Sequence, residues 1–241
     1  NLRFLFGVEA YWVKDRNALI VDEEEINEDA TLVSTKKDNS NCHICIYAKN
    51  ENGRQAINDI LSEANITGFY YQPRVDIELI KSLPPNDVWV TSACVSGWKY
   101  GLEESDAIFL DFHKYFGNSF FLEVQYHNTE SQKLLNRHIL DLSNKHNIPI
   151  LMGCDSHFIS EDKSWERTDF IASKGIVYAE EEGWFLDYPS GDIAYNRFLE
   201  QGILTHAQIE EAMDNTNVFL QVEDYDNPCF NFDIKMPTLY K

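Results

Sequence analysis

The chain has no apolar run approaching the ~20 residues needed to cross a bilayer, no surplus of positive charge and no repeated cysteine spacing. The first absence excludes a membrane-spanning helix. The second concerns partners: 40 acidic residues stand against 20 basic ones, a formal net charge of −20. A surface that grips DNA or RNA through phosphates needs clustered Lys and Arg, so this chain alone is not expected to hold nucleic acid tightly. Cysteine is scarce and irregular. Cys42, Cys45, Cys94, Cys154 and Cys229 are odd in number, which argues against a disulfide framework and for a reducing, cytoplasmic compartment. No basic n-region followed by an apolar h-region opens the chain, so no secretory leader is expected in it. It opens instead on NLRFLFGVEAYWV, which reads as a strand already under way.

What is present is a folded composition. Apolar residues make up 44% of 241 positions and are spread throughout, enough for a large core. Strand-like and helix-like segments alternate. RFLFGVEAYWV and CHICIYA (42–48) read as strands, and ENGRQAINDILSEANI (51–66) as a helix with Ala56, Ile57, Ile60, Leu61 and Ala64 on one face. DVWVTSAC (87–94) reads as a buried strand, LEESDAIFLDFHKYF (102–116) as a helix stopped by Gly117, and SFFLEVQY (119–126) as another strand. TESQ (129–132) fits a capping box with Thr129 as N-cap and Gln132 at N3. It opens a helix carrying Leu134, Leu135, Ile139 and Leu142. IPILMGCDSHF (148–158) is the last strand of the series.

This alternation predicts parallel pairing under right-handed crossovers, hence an α/β barrel or doubly wound sheet. Beyond residue 160 the pattern turns helical. DKSWERTDFIASKGI and THAQIEEAMDNTNVFL (205–220) flank YAEEEGWFLDYPSGD. The chain therefore divides into an α/β portion over 1–160 and a helical extension over 161–241. The polar stretch from Lys14 to Ser40 reads as a long surface excursion.

In such folds chemistry sits at the carboxyl end of the strands. Asp155 and His157 end the last strand two residues apart, a spacing that on an extended chain puts both side chains on one side. Cys94 ends VWVTSAC before the Ser96–Gly97 turn, and Glu9 interrupts an apolar run, where a buried carboxylate is costly unless paired or metal-bound. Each feature alone is weak: a strand-end Cys is ordinarily a small apolar filler. The C-x-x-C at Cys42 and Cys45 is neither a redox couple nor a zinc knuckle. It lies in an alternating strand that throws the two thiols to opposite faces, and no second pair follows.

Taken together, FGVEAY, HICIYAKNENGRQAI, GFYYQPRVD, VTSACVSG, FFLEVQYH, IPILMGCDSHF and the closing PTLYK resemble, in order, the PHP (polymerase and histidinol phosphatase) domain of bacterial and phage C-family DNA polymerase III alpha subunits. The resemblance implies a PHP-type distorted (β/α) barrel, incomplete at its N-terminus, with the helical extension leading towards a polymerase palm. It implies metal ligands at Glu9, His43, Cys94, Asp155 and His157, with Asp155 and His157 catalytic. The family holds up to three divalent metals; imidazole and thiolate favour zinc, while carboxylates tolerate manganese. An H-x-H motif and a further pair of ligands that the family carries upstream are absent from these residues. A later start, supply by another chain, or a degenerate site would each account for that.

The activity implied is phosphoester hydrolysis of the 3′–5′ exonuclease type, in which metal-bound water becomes the nucleophile. Arg74 is expected either to hold a phosphate bidentately or to pair with Asp76 or Glu78 at the surface. His127, just past EVQY, is a weaker candidate for substrate contact, with an ordinary strand-end histidine as the favoured alternative. DNA would be reached through the rest of the polymerase, with replisome subunits as further partners and no membrane. A non-catalytic platform for polymerase or exonuclease, and a free-standing PHP phosphatase, stay as alternatives. His43 opens its strand instead of ending it, so an all-parallel sheet would carry it to the wrong edge unless that segment bends or reverses.

Overall fold

The computed structural model describes residues 3–21, 35–176 and 183–225. Two sheets are present among them. A six-stranded sheet is formed by β1 (Gly7–Val13), β4 (Cys42–Ala48), β5 (Arg74–Asp76), β6 (Val88–Thr91), β7 (Phe120–Gln125) and β8 (Ile150–Gly153). Its order is β5-β1-β4-β6-β7-β8. The second is a small hairpin of β2 (Leu19–Val21) and β3 (Thr35–Lys37).

Pairing is not parallel throughout, and this corrects the expectation. β1 runs parallel to β5, and β6, β7 and β8 run parallel in turn, but β4 is antiparallel to both of its neighbours, β1 and β6. Two reversals restore the direction, so every strand of the sheet except β4 points the same way. Strand direction is invisible in an alternating pattern, because the period of two is the same either way.

The burial of β4 alternates strictly: Cys42, Ile44, Ile46 and Ala48 are buried, while His43, Cys45 and Tyr47 occupy the opposite face. The first set joins a core with Trp12, Ile57, Phe109, Phe112, Phe120 and Ile139. That core is covered by α1 (Glu51–Ile66), α3 (Leu102–Phe116) and α4 (Glu130–His146). Local signals set their ends. Asn50 caps α1 by accepting from the Gly53 amide, and Gly117 takes φ +57 after α3. Thr129 caps α4, yet the expected box is only half made, since the Gln132 amide turns to Asn136 instead. Leu134 is exposed, unlike Leu135, Ile139 and Leu142.

The excursion over 14–40 is also more than a polar loop. Arg16 is buried and holds Asp76 at 2.6 Å, and Asp76 in turn caps α2 (Ile77–Lys81). Residues 22–34, which carry most of the acidic run, lie outside the described residues, as do Cys229 and PTLYK.

The helical part follows β8 as expected, with α5 (Ser164–Ser173), α6 (Gly191–Gln201) and α7 (His206–Asn215). α7 opens on a complete capping box of Thr205 and Gln208, and residues 216–221 continue as a 3-10 turn, not as α-helix. This part packs on the second sheet face, where Phe219 and Val222 meet Trp89, Phe121 and Leu151. Asn215 donates to the Ile150 carbonyl and Tyr225 to that of Ala48. The upper part of the same face, towards the carboxyl edge, is left open.

Candidate metal centre

Glu9 on β1 faces Cys45, and His43 faces Tyr11 one pair further along. The four side chains share one sheet face, so Glu9 and His43 are diagonal neighbours across two strands. Glu9 Oε1 lies 2.5 Å from His43 Nδ1. Because β4 runs backwards, its first residues sit at the edge where the parallel strands end. The reversal is what brings His43 to the site.

Cys94 follows β6 on a tight turn. Ala93 takes φ +56, and at Gly97 a Cβ would lie 2.2 Å from the Ser92 carbonyl and 3.0 Å from that of His43. Only a glycine lets the turn approach this closely. Cys94 Sγ then lies 3.3 Å from His43 Nδ1. Potential ligand atoms of Glu9, His43 and Cys94 all fall within 4.8 Å of one another. The hydrogen bond to His43 holds the Glu9 carboxyl below its usual range. Burial pushes the Cys94 thiol up to about 12, with the charge of Asp155 adding to it. A thiol so placed becomes a thiolate when a cation displaces its proton.

Asp155 and His157 line the same cleft, about 610 Å³, together with Glu9, Cys94 and Glu123. They lie beside the close trio, not inside it. Their convergence has a different origin from the expected one. β8 ends at Gly153 and Asp155 takes φ +48, so the segment is a turn, not an extended strand. His157 Nδ1 donates to the Asp155 carbonyl at 2.7 Å, which leaves Nε2 as the free lone pair. Burial raises the Asp155 carboxyl and Glu9 adds to it, against the opposing pull of His157 and His43.

Arg74 and His127 sit elsewhere than expected. Arg74 is fully buried, and its guanidinium donates to the carbonyls of Gly68, Asp38 and Arg16. It ties the hairpin excursion to the sheet and has neither a phosphate-facing edge nor a surface ion pair. His127 is likewise fully buried, its ring tilted against Trp184 with centroids 4.6 Å apart. Its Nδ1 accepts from the Phe185 amide. Burial lowers it to about 4, so the ring is neutral and out of reach of a substrate.

One residue escaped the sequence reading. Glu123 on β7 is buried in the cleft floor, accepting from Thr91 Oγ1 at 2.8 Å and Gln125 Nε2 at 2.9 Å. Burial raises it to about 7, with Asp155 and Glu9 contributing. Its diagonal neighbour on β8 is Gly153, which pairs with Gln125 and where a Cβ would stand 1.8 Å from Glu123 Oε1. The signal was available, since FFLEVQY breaks an apolar run with a carboxylate as FGVEAY does.

One imidazole, one thiol and one carboxylate form a mixed N/S/O donor set that suits a tetrahedral divalent ion such as zinc. A family model described as the PHP domain matches residues 1–127. The DNA polymerase III subunit alpha of Borreliella burgdorferi is 27% identical over 222 residues, covering 90% of this chain and 18% of that protein. The subunit of the same name from Campylobacter jejuni is 26% identical over 242 residues, covering 92% and 18%. That from Chlamydia muridarum is 35% identical over 97 residues, covering 38% and 8%. The chain thus spans less than a fifth of the length of these relatives.

Proposed function

The chain belongs to the PHP domain family, and from that premise we propose that it is the PHP portion of a DNA polymerase III alpha subunit. Residues 1–160 would be the PHP portion and 161–241 the extension towards the polymerase. The site would perform metal-dependent phosphoester hydrolysis of the 3′–5′ exonuclease type. The observation that carries the reading is the convergence of Glu9, His43 and Cys94 within 4.8 Å, from two strands and a turn far apart in sequence.

In this reading Glu9, His43 and Cys94 would hold a divalent cation, zinc or manganese, with Asp155 and His157 of the same cleft completing the ligand set. The bound ion supplies Lewis acidity and lowers the pKa of its water. The chain's own residues do the rest. The Asp155 carbonyl fixes the His157 tautomer and leaves the Nε2 lone pair free. Burial of Cys94 keeps bulk water from the sulfur. DNA would arrive through the remainder of a polymerase, consistent with the net charge of −20 here, and replisome subunits in the cytoplasm are the expected partners.

The acidic charge also favours a second reading, a non-catalytic platform that keeps the fold and part of the ligand set. Metal content and phosphoesterase activity, measured on the longest natural polypeptide containing these residues, decide between the two. Asp155→Asn and His157→Ala should each lower hydrolysis at least 100-fold, and Cys94→Ser should lower zinc occupancy. Absence of metal, with activity unmoved by both substitutions, would leave the platform reading.

A further inference from the structure

We infer that His127 is a positioning residue of the cleft, setting the Asp155–His157 segment through a strap formed by residues 183–188 of the helical part. The inference rests on the reading of Asp155 and His157 as ligands, and it assigns to the extension a share in building the site.

The connection is a short chain of hydrogen bonds. His127 Nδ1 accepts from the Phe185 amide at 3.1 Å. One residue on, the Leu186 carbonyl accepts from the amides of His157, at 2.7 Å, and Phe158, at 3.2 Å. Ser156 Oγ donates to the Asp187 carbonyl at 2.9 Å, and the Tyr188 amide donates to Ile159 at 3.3 Å. The strap therefore runs alongside the segment that presents both candidate ligands. Its other edge is fixed to the end of β7, where the Asn128 amide donates to Gly183 at 2.8 Å. Gly183 takes φ +87 there, a conformation that favours glycine.

Two anchors keep the strap in register. The Arg197 guanidinium binds the Asp187 carboxylate at 2.8 Å and lies 4.4 Å from the Phe185 ring centre. Gln201 Nε2 donates to the His127 carbonyl at 2.6 Å. His127 stands between them. A neutral ring that accepts at Nδ1 carries its proton on Nε2, and that atom is buried without a partner among the described residues. An orphaned buried donor is costly. Leucine would fill the space without that cost, so packing alone does not call for histidine. What leucine lacks is the acceptor for Phe185.

The segment being held needs holding. Asp155 is a non-glycine residue at φ +48, a left-handed conformation that its surroundings help to hold. The strap supplies that support, and the turn then aims His157 Nε2 into the cleft.

The test uses the 241-residue chain and needs no activity measurement. Ring ¹⁵N spectra of His157, recorded without metal, should show one tautomer protonated at Nδ1 in the wild type. His127→Leu should fold, yet show both tautomers at His157 and at least tenfold faster amide exchange at His157 and Phe158. His127→Asn places an amide oxygen close to where Nδ1 sits and should restore the wild-type pattern. If His127→Leu does not fold, His127→Gln, whose oxygen lies one bond further out, should show the loss that His127→Asn does not. A His157 ring and amide unchanged in His127→Leu, or equal behaviour of the Asn and Gln variants, overturns the inference. Cobalt(II) titration separates this from the proposed function. The thiolate charge-transfer band from Cys94 should persist in His127→Leu while total cobalt affinity drops at least tenfold. A wild-type chain that binds no cobalt sinks the metal-centre reading, and the tautomer result still decides the role of His127.

Discussion

Glu123 on β7 and His127, two residues past its end, are both buried titratable groups, and their linkages have opposite signs. Glu123 is raised from 4.5 to about 7. The unfolded chain therefore releases that proton first, and stability contributed below pH 4.5 is lost as pH rises to about 7. His127 is lowered from 6.5 to about 4. Here the unfolded chain takes up the proton first, so stability present above pH 6.5 is lost as pH falls towards 4. Between pH 4.5 and 6.5 the two slopes oppose each other. Replacing Glu123 with Gln should leave the histidine slope uncovered, with stability rising more steeply from pH 4.5 to 6.5 than in the wild type. Urea denaturation at half-unit pH steps reads this, and an unchanged slope would refute it. Gly153 offers a second test on the same carboxyl. Gly153→Ala should cost about 1–3 kcal/mol by overpacking, and pairing it with Glu123→Ala should recover part of that loss, because the clash involves the Glu123 side chain.

At the scale of elements, what decides the site is which strand runs backwards and which loops touch it. α1 was legible because its signal is local: a periodic run that puts Ile57, Ile60 and Ala64 on one face. Asn50 does two jobs, accepting from the Gly53 amide and donating to Asp87 Oδ1 at 2.8 Å. Asn50→Ala should lower stability by about 1 kcal/mol. Gly53→Ala should cost more, since its Cβ would meet the Asp87 carbonyl, a backbone atom, at 2.0 Å. Equal losses in urea denaturation would contradict that ranking. The reversal of β4 was signalled only by His43, which opens its strand, for nothing else in CHICIYA distinguishes up from down. Arg74 and His127 were misjudged for a related reason. A polar side chain reads as a surface or site residue until tertiary structure supplies its carbonyls and rings. The ordered motifs marked Glu9, His43 and Cys94 without reference to direction, and the structure brings these three side chains together. Glu123 passed the test applied to Glu9 and was overlooked among its apolar neighbours.

At the scale of the molecule, charge and the helical part set behaviour. A net charge of −20 makes the folded chain repel itself. Raising ionic strength from ~0.01 to ~0.15 M shortens the screening length from ~30 to ~8 Å, and the melting temperature should rise by a few degrees; a fall would argue for stabilising ion pairs instead. The extension is built into the fold. Phe219 and Val222 cover Trp89, Phe121 and Leu151, so a chain ending at residue 160 should lose its cooperative transition in calorimetry. A sharp transition there would show the α/β part to be autonomous. The strap carries a consequence for synthesis on the ribosome. Glu9, His43 and Cys94 have all been made by residue 94, yet the turn bearing Asp155 and His157 is braced only when residue 188 has emerged. At ~5–20 residues per second, roughly 5–20 s separate those moments. If the cluster binds a cation as proposed, that interval leaves a nascent polypeptide with an unguarded Cys94 sulfur and only part of the ligand set, the window in which oxidation or capture of the wrong ion is easiest.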